Sequence, residues 1–120
     1  MRMWMVDPRG MCDRHLLGEH VEIHMLVGCL RKRKNIRGYI EKGLVEVRSI
    51  RPRHDALVRE MRRRHMNHAS PLPRRMPFAE KGGPFGRVDR EASLTELRRR
   101  CRRCRQMQNG QAGEKHPQEG

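Results

Sequence analysis

The clearest pattern of apolar and polar positions lies between residues 13 and 31. Apolar residues recur there every three or four positions, which is the spacing of a helix with a buried side. Asp13 follows the turn-forming residues 7 to 10 and can act as an N-cap, and no proline occurs before Arg31. The pattern therefore predicts one long helix, and its wide apolar surface predicts burial on several sides. The two apolar faces are Leu16, Ile23, Val27 and Leu30, and Leu17, Val21 and Met25.

A second helix is predicted from Ser49, which can act as its N-cap, to about His65. Pro52 falls in its first turn, where the N–H that proline lacks would have no partner within the helix. The core stripe of this helix is narrow and consists of Leu57, Val58 and Met61. Residues 44 to 47 before it are interpreted as extended or strand-like.

A third helix is predicted from roughly residue 94 to residue 107, because Ser93 and Glu96 have the spacing of a capping box. Four prolines and three glycines between residues 70 and 86 predict a surface loop. The polar residues 109 to 120 predict a disordered tail. The expected fold class is therefore mainly α, a single compact domain of about three helices with long connecting loops that spans residues 1 to 108.

The charge of the chain indicates the kind of partner it binds. Its 28 lysines and arginines outnumber its 14 acidic residues and give a formal net charge of +14, which exceeds what solubility requires and predicts a polyanionic partner. Aromatic residues make up only 3% of the chain, so the backbone of duplex DNA is favoured over base-stacked single strands or RNA. No signal peptide, membrane span or lipid-binding helix is recognised. A cytoplasmic, nucleoid-associated protein of a bacterial or phage-infected cell is expected.

The four cysteines are expected to be reduced thiols or metal ligands in such a compartment. Cys101 and Cys104 have the C-x-x-C spacing that can hold one side of a tetrahedral zinc site. His65 and His68 could complete that site. However, the two cysteines continue the apolar stripe of the third helix, where cysteine packs as a small hydrophobic residue. Packing is the preferred interpretation, and no metal or organic cofactor is expected.

A polar ridge interrupts the apolar surface of the first helix. At about 100° per residue, His15, Glu19 and Glu22 lie within about 60° of one another, so they are expected to face water or a ligand. Charged residues three and four positions apart on a helix are commonly solvated surface. From the pattern alone, the ridge is therefore either inert surface or a catalytic site.

The ridge lies within a longer string that resembles the first helix of the pyrimidine-dimer DNA glycosylases, the phage endonuclease V family. The resemblance covers roughly the first 70 residues and is weaker after the first helix. The residues that carry it are His15 to Glu22 (HLLGEHVE), Val27-Gly28, Arg31-Lys32, Met1-Arg2, the segment Asp55 to Met66, and Asn67-His68.

The resemblance implies a helical enzyme that flips a damaged nucleotide out of the duplex and attacks its sugar C1′ with the N-terminal α-amine. It further implies that an imine forms, that the base leaves and that the strand breaks by β-elimination. Met1 would supply the amine, and Glu22 matches the catalytic glutamate of the family. An α-amine has a pKa near ~7.7–8.0, against ~10.4 for lysine, so more of it is nucleophilic at neutral pH. The residues expected to contact DNA are Arg2, His15, Arg31, Lys32, Arg62 and Arg63.

The sequence departs from the phage pattern at three places. The phage enzyme exposes a threonine amine after losing its initiator methionine, whereas the aligned residue here is Met1 itself, which must be unformylated to react. Two arginines that the phage enzyme uses near the lesion align with Val21 and Met25, which cannot bind phosphate. Beyond residue 70 the resemblance ends, so further DNA contacts would come from Arg98 to Arg105.

The resulting hypothesis is a monomeric DNA glycosylase and AP lyase that acts in base excision repair on pyrimidine dimers or abasic sites in duplex DNA. It needs no cofactor and is expected to work in the presence of a chelator. Two alternatives belong to other classes. A non-catalytic basic DNA-binding protein needs only the charge and leaves Glu22 a surface carboxylate, and a small zinc module would use Cys101 and Cys104.

Overall fold

The computed structural model describes residues 1–67, 70–74 and 86–115, and they form a mainly helical single domain, which confirms the predicted fold class. No β-strand occurs among these residues. None of their helices has both the length and the apolar character needed to cross a bilayer. The α-helices are α1 (Asp13–Arg31), α2 (Arg37–Glu41), α3 (Ile50–Arg63), α4 (Arg90–Arg100) and α5 (Arg102–Lys115), and two short 3-10 turns cover Pro8–Gly10 and Val47–Ser49.

Helix α1 has the predicted length, but only one of its two apolar faces belongs to the core. Leu16 and Ile23 on the first face are completely buried. On the second face, Val21 is 48% exposed and Met25 is 55% exposed. The prediction of a helix buried on several sides is therefore wrong. The strip that carries Val21 and Met25 faces solvent instead of the core.

Helix α3 confirms the second predicted helix, with its stripe of Leu57, Val58 and Met61 buried, although it ends at Arg63. The predicted Ser49 cap is wrong, because the Ser49 hydroxyl donates to the Glu46 carboxylate and makes no cap hydrogen bond. The preceding residues 44 to 47 do not form a strand, and the chain makes one 3-10 turn at Val47–Ser49 before α3. The apolar pattern at Val45 and Val47 reflects burial of both side chains in the core and does not indicate a strand.

The third predicted helix begins earlier than the capping box indicates. The side chain of Asp89 accepts a hydrogen bond from the Ala92 N–H at 3.1 Å and caps α4. The Ser93 hydroxyl instead donates to the backbone carbonyl of Trp4 in the protein interior. Glu96 forms ion pairs with the two arginines that follow it by three and four positions. The predicted capping box is therefore wrong, because both of its side chains have other partners.

The same predicted helix is also interrupted. Cys101 has extended backbone angles, φ −126° and ψ 109°, and separates α4 from α5. Helix α5 then continues to Lys115, past the predicted end at residue 107. For the predicted tail, residues 116–120 lie outside the described residues, so disorder there stays a prediction. Most of the predicted loop between residues 70 and 86 also lies outside them, and residues 70–74 and Gly86 have no regular structure.

The N-terminal segment, residues 1–7, is neither helix nor strand, yet it is tightly held. Its side chains Met3, Trp4 and Val6 are buried. Its backbone is bonded to three separate parts of the chain: the Met3 N–H donates to the Leu44 carbonyl at 2.7 Å, the Trp4 carbonyl accepts from Ser93, and the Val6 carbonyl accepts from Arg53 at 2.6 Å. These anchors determine where the chain's first residue lies.

Candidate active site

A cavity of about 570 Å³ opens beside the N-terminal half of α1. Its walls come from the N-terminal segment, from α1 and from the last residue of α4. They include Arg2, Trp4, Arg14, His15, Val21, Glu22 and Arg100. The cavity therefore combines an acidic side chain, an aromatic ring and several arginines.

The carboxylate of Glu22 lies next to the start of the chain. It accepts a hydrogen bond from the backbone N–H of Arg2 and interacts electrostatically with the positive charge of the N-terminal amine. Burial raises the pKa of Glu22, and the nearby Glu19 raises it further, while the amine and Arg2 oppose this shift without cancelling it. Glu22 therefore holds a proton more readily than an exposed glutamate and can both accept and return one.

Arg2 and Trp4 form one wall of the cavity. The guanidinium of Arg2 lies 3.9 Å from the centre of the Trp4 ring, a cation–π contact. Burial and the nearby Arg100 lower the pKa of Arg2, although an arginine stays charged at any physiological pH. The Trp4 ring in turn meets the His15 ring edge-on at 5.9 Å. The positive charge at this wall is therefore held in place by stacking.

His15 occupies the predicted position on α1, where burial and the charge of Arg14 lower its pKa. The imidazole is therefore neutral at neutral pH. Its Nδ1 atom lies 3.3 Å from the sulfur of Cys12, so the ring is turned partly towards the junction of α4 and α5.

Glu19 differs from the prediction for the ridge. It is 1% exposed, and its two carboxylate oxygens accept hydrogen bonds from Arg53 at 2.6 and 2.9 Å. The expectation that His15, Glu19 and Glu22 all face water or a ligand is therefore wrong for Glu19. Its partner comes from α3, which a helical wheel of α1 cannot reveal.

The structure brings only some of the predicted site residues together. Met1 packs partly buried against the core, and Arg2, His15 and Glu22 border the cavity. Arg31 and Lys32 are exposed at the end of α1, nine residues beyond Glu22 and hence about 14 Å along the helix axis. Arg62 and Arg63 are exposed on α3, where Arg63 pairs with Glu60 at 2.5 Å and Arg62 borders a different cavity.

Two residues of the cavity were missed by the sequence interpretation. Arg14 stands four and eight positions before Gly18 and Glu22, so the helical spacing could have placed it on the same strip. Trp4 had no such signal, because it lies in an irregular segment. Arg100 falls within the predicted run of DNA contacts, Arg98 to Arg105, and is the member of that run that reaches the cavity.

Two groups of metal-ligating side chains occur among the described residues. The first contains Cys12, His15, Cys101 and Cys104, so the second half that the C-x-x-C pair lacked comes from the start of α1. His65 does not belong to it, and His68 lies outside the described residues. The preferred interpretation of the two cysteines as simple helix packing is therefore incomplete.

The second group contains His20, His24 and His54, whose rings meet at tilted or edge-on angles with centre distances of 4.7 to 5.2 Å. The Nε2 atoms of His24 and His54 lie 3.1 and 2.9 Å from the carbonyl oxygen of Ser70. Two of the three rings therefore bind this oxygen, which fastens the segment at residues 70–74 against α1 and α3.

A helical, strongly basic chain with a half-buried carboxylate beside its own amine has the features of a small enzyme that acts on a nucleic acid. The family model described as pyrimidine dimer DNA glycosylase matches residues 1–73. That match spans more than half of the 120 residues, and the chain belongs to this family of DNA repair enzymes. DNA is thus its substrate. No curated protein and no solved structure matches the chain.

Proposed function

We propose that the protein is a combined DNA glycosylase and AP lyase that attacks damaged duplex DNA with the α-amine of Met1. One observation carries this proposal: the half-buried Glu22 carboxylate is bonded to the Arg2 N–H and lies within the field of the N-terminal amine. Family membership supports removal of a damaged base. The pairing of an amine with a carboxylate supports an imine mechanism, because that route needs a nucleophile and a proton carrier in contact.

The proposed reaction begins with the neutral amine nitrogen forming a bond to C1′ of the damaged nucleotide. The bond from C1′ to the base breaks, and the base leaves with the bonding electron pair and takes a proton from water. The Glu22 carboxylate stabilises the positive charge that develops on the sugar. It then takes a proton from the nitrogen and delivers it to the ring oxygen, which opens the sugar and leaves an imine at C1′. The Glu22 carboxylate then accepts a C2′ proton, a C2′–C3′ double bond forms, and the C3′–O bond breaks as the 3′ phosphate leaves. Water hydrolyses the imine to an aldehyde and returns the free amine.

The proposed DNA contacts centre on the cavity. Arg2, Arg14 and Arg100 border it and would bind the phosphates that flank the flipped nucleotide. The more distant predicted contacts, Arg31-Lys32 and Arg62-Arg63, would extend the interface along the duplex. Because binding by several arginines releases counterions, affinity should fall steeply as salt is raised. One chain provides both the amine and the carboxylate, so a monomer suffices.

The proposal is tested by borohydride reduction of the protein on duplex DNA that carries either an abasic site or a cyclobutane dimer. We expect a stable covalent adduct, and mass spectrometry should locate it on the nitrogen of Met1. An adduct with both substrates would establish base removal and imine formation, and strand cleavage of the same DNAs without borohydride would establish the lyase step. Adduct with the abasic site alone would restrict the activity to the lyase step.

A matched control is a variant with one additional residue, which is not removed, before Met1. It moves the amine away from Glu22 while leaving every other side chain unchanged, so trapping should be lost. If wild-type protein binds both DNAs in a salt-sensitive manner but gives no adduct with either, the imine mechanism is wrong. The abundant positive charge would then serve binding alone.

A further inference from the structure

Three thiols and one imidazole meet where the start of α1 contacts the junction of α4 and α5. The sulfur atoms of Cys12, Cys101 and Cys104 and a ring nitrogen of His15 all lie within 4.8 Å of one another. The residues come from two pairs with the same spacing, Cys12-x-x-His15 and Cys101-x-x-Cys104. The two pairs are far apart in the sequence, since Cys101 follows Cys12 by 89 positions.

The distances agree with tetrahedral zinc. Zinc–sulfur bonds of about 2.3 Å and zinc–nitrogen bonds of about 2.0–2.1 Å place tetrahedral ligands about 3.8 Å apart for two sulfurs and about 3.6 Å apart for sulfur and nitrogen. The sulfurs of Cys12 and Cys101 are separated by 3.8 Å, and the sulfur of Cys12 lies 3.3 Å from Nδ1 of His15. The remaining ligand atoms lie within 4.8 Å of one another, so binding the ion requires them to move closer by at most about 1 Å.

Backbone N–H groups already point at two of the sulfurs. The N–H of Cys104 donates to the sulfur of Cys101 at 3.4 Å, and Arg103 contributes a second backbone hydrogen bond to that sulfur. The N–H of Cys12 donates to the sulfur of Cys104 at 3.2 Å. Such donors stabilise thiolates and orient them, which is the role of outer-shell groups at metal sites.

The interruption between α4 and α5 is a further indication. Residues 98 to 105 read RRRCRRCR and contain no glycine or proline that would stop a helix. Nevertheless, Cys101 is extended, and this turns its sulfur and that of Cys104 towards Cys12. Metal binding by Cys101 and Cys104 explains this interruption of the helix, which the local sequence does not explain.

The surroundings also suit the charge of such a site. Three thiolates, a neutral imidazole and a Zn²⁺ ion together carry a net charge of −1. The cysteines are flanked in sequence by Arg14, Arg100, Arg102, Arg103 and Arg105. Positive charge therefore flanks the anionic site in the sequence on both sides of the C-x-x-C pair.

We infer that Cys12, His15, Cys101 and Cys104 form a structural site for one Zn²⁺ ion. Four protein ligands close the coordination sphere, so the ion has a structural role and does not bind substrate. It joins α1, within the matched family region, to α4 and α5, which lie beyond residue 73. It also holds Arg100 at the rim of the cavity, which links the added C-terminal helices to the candidate active site.

The test uses the full chain, freed of any affinity tag, and elemental analysis after dialysis. We expect one zinc per chain in the wild-type protein and in Cys29→Ser, a matched control because Cys29 lies outside the group. Cys104→Ser and His15→Ala should lose the zinc, whereas His15→Cys should retain it. None of these readouts involves DNA, so they are independent of the proposed catalysis.

A second measurement covers the case in which a ligand variant does not fold. Treatment of wild-type protein with a strong zinc chelator should lower the thermal midpoint, and added Zn²⁺ should restore it. Alkylation of the folded protein should modify only Cys29 before chelation and all four cysteines after it. Purified protein without metal, with an unchanged thermal midpoint in chelator or in zinc, would overturn the inference. So would a mass lower by two hydrogens, which shows a disulfide within the group.

Discussion

Glu19 and Glu22 lie one turn apart on α1, and the structure gives their carboxylates opposite environments. Glu19 is completely buried, and both of its oxygens are bonded to Arg53. Glu22 is half-buried and faces the N-terminal amine and a single backbone N–H. Arginine never releases its proton in proteins, whereas burial raises the pKa of Glu22 and lets this carboxylate hold a proton more readily. The first pair is therefore a fixed structural connection, and the second is one in which a proton can move.

The largest effect is expected from Glu22→Gln, which removes the proton carrier and leaves the shape of the side chain. Strand cleavage and borohydride trapping should fall by roughly 10²–10⁴-fold, the usual contribution of a general acid or base. DNA affinity should be retained. The measurement is a single-turnover cleavage rate on abasic duplex beside a binding isotherm at the same salt concentration.

The exposed Glu41 provides the control, because Glu41→Gln makes the same chemical change on α2, away from the cavity. It should leave the cleavage rate unchanged. If Glu22→Gln cleaves as fast as this control, Glu22 is only a surface carboxylate and the non-catalytic alternative for the chain gains support.

The converse substitution, Glu19→Gln, should affect stability. It leaves the guanidinium of Arg53 buried without its counter-charge, and breaking such a pair costs about 3–5 kcal/mol. Urea denaturation should therefore show a much lower free energy of unfolding for Glu19→Gln than for Glu22→Gln. Changing both Glu19 and Arg53 to leucine should cost less than the sum of the two single changes, since neither charge is then left alone. Strictly additive costs would contradict the role assigned to the pair.

The smallest expected effect is a change in how the stability of the protein depends on pH. The fold raises the pKa of Glu22, chiefly by burial, above the value of about 4.3 of an unfolded glutamate. The native state therefore binds this proton more tightly, and the wild type loses stability as pH rises from about 4 through the raised pKa. Glu22→Gln cannot ionise there, so its thermal midpoint should exceed that of the wild type at neutral pH and match it below pH about 4. A constant difference across this range would contradict the assigned shift.

A substantial part of the candidate site could be predicted from the sequence because it lies on one helix. The spacing of His15 and Glu22 on α1 follows from helical geometry, and the resemblance connects that strip to Met1 and Arg2. The position of Trp4 could not be derived in the same way. The segment that carries it has no regular structure and is placed by bonds to Leu44, Arg53 and Ser93, each at least 41 positions away.

Helices α1 and α3 could be predicted from the sequence alone, as could the basic character of the molecule and the family to which the chain belongs. These features depend on local periodicity, on composition and on a contiguous string of residues. Three features became visible only in the folded chain: Glu19 pairs with Arg53, α4 and α5 separate at Cys101, and Cys12 and His15 meet Cys101 and Cys104. Each of these depends on side chains that are distant in sequence, which local patterns do not encode.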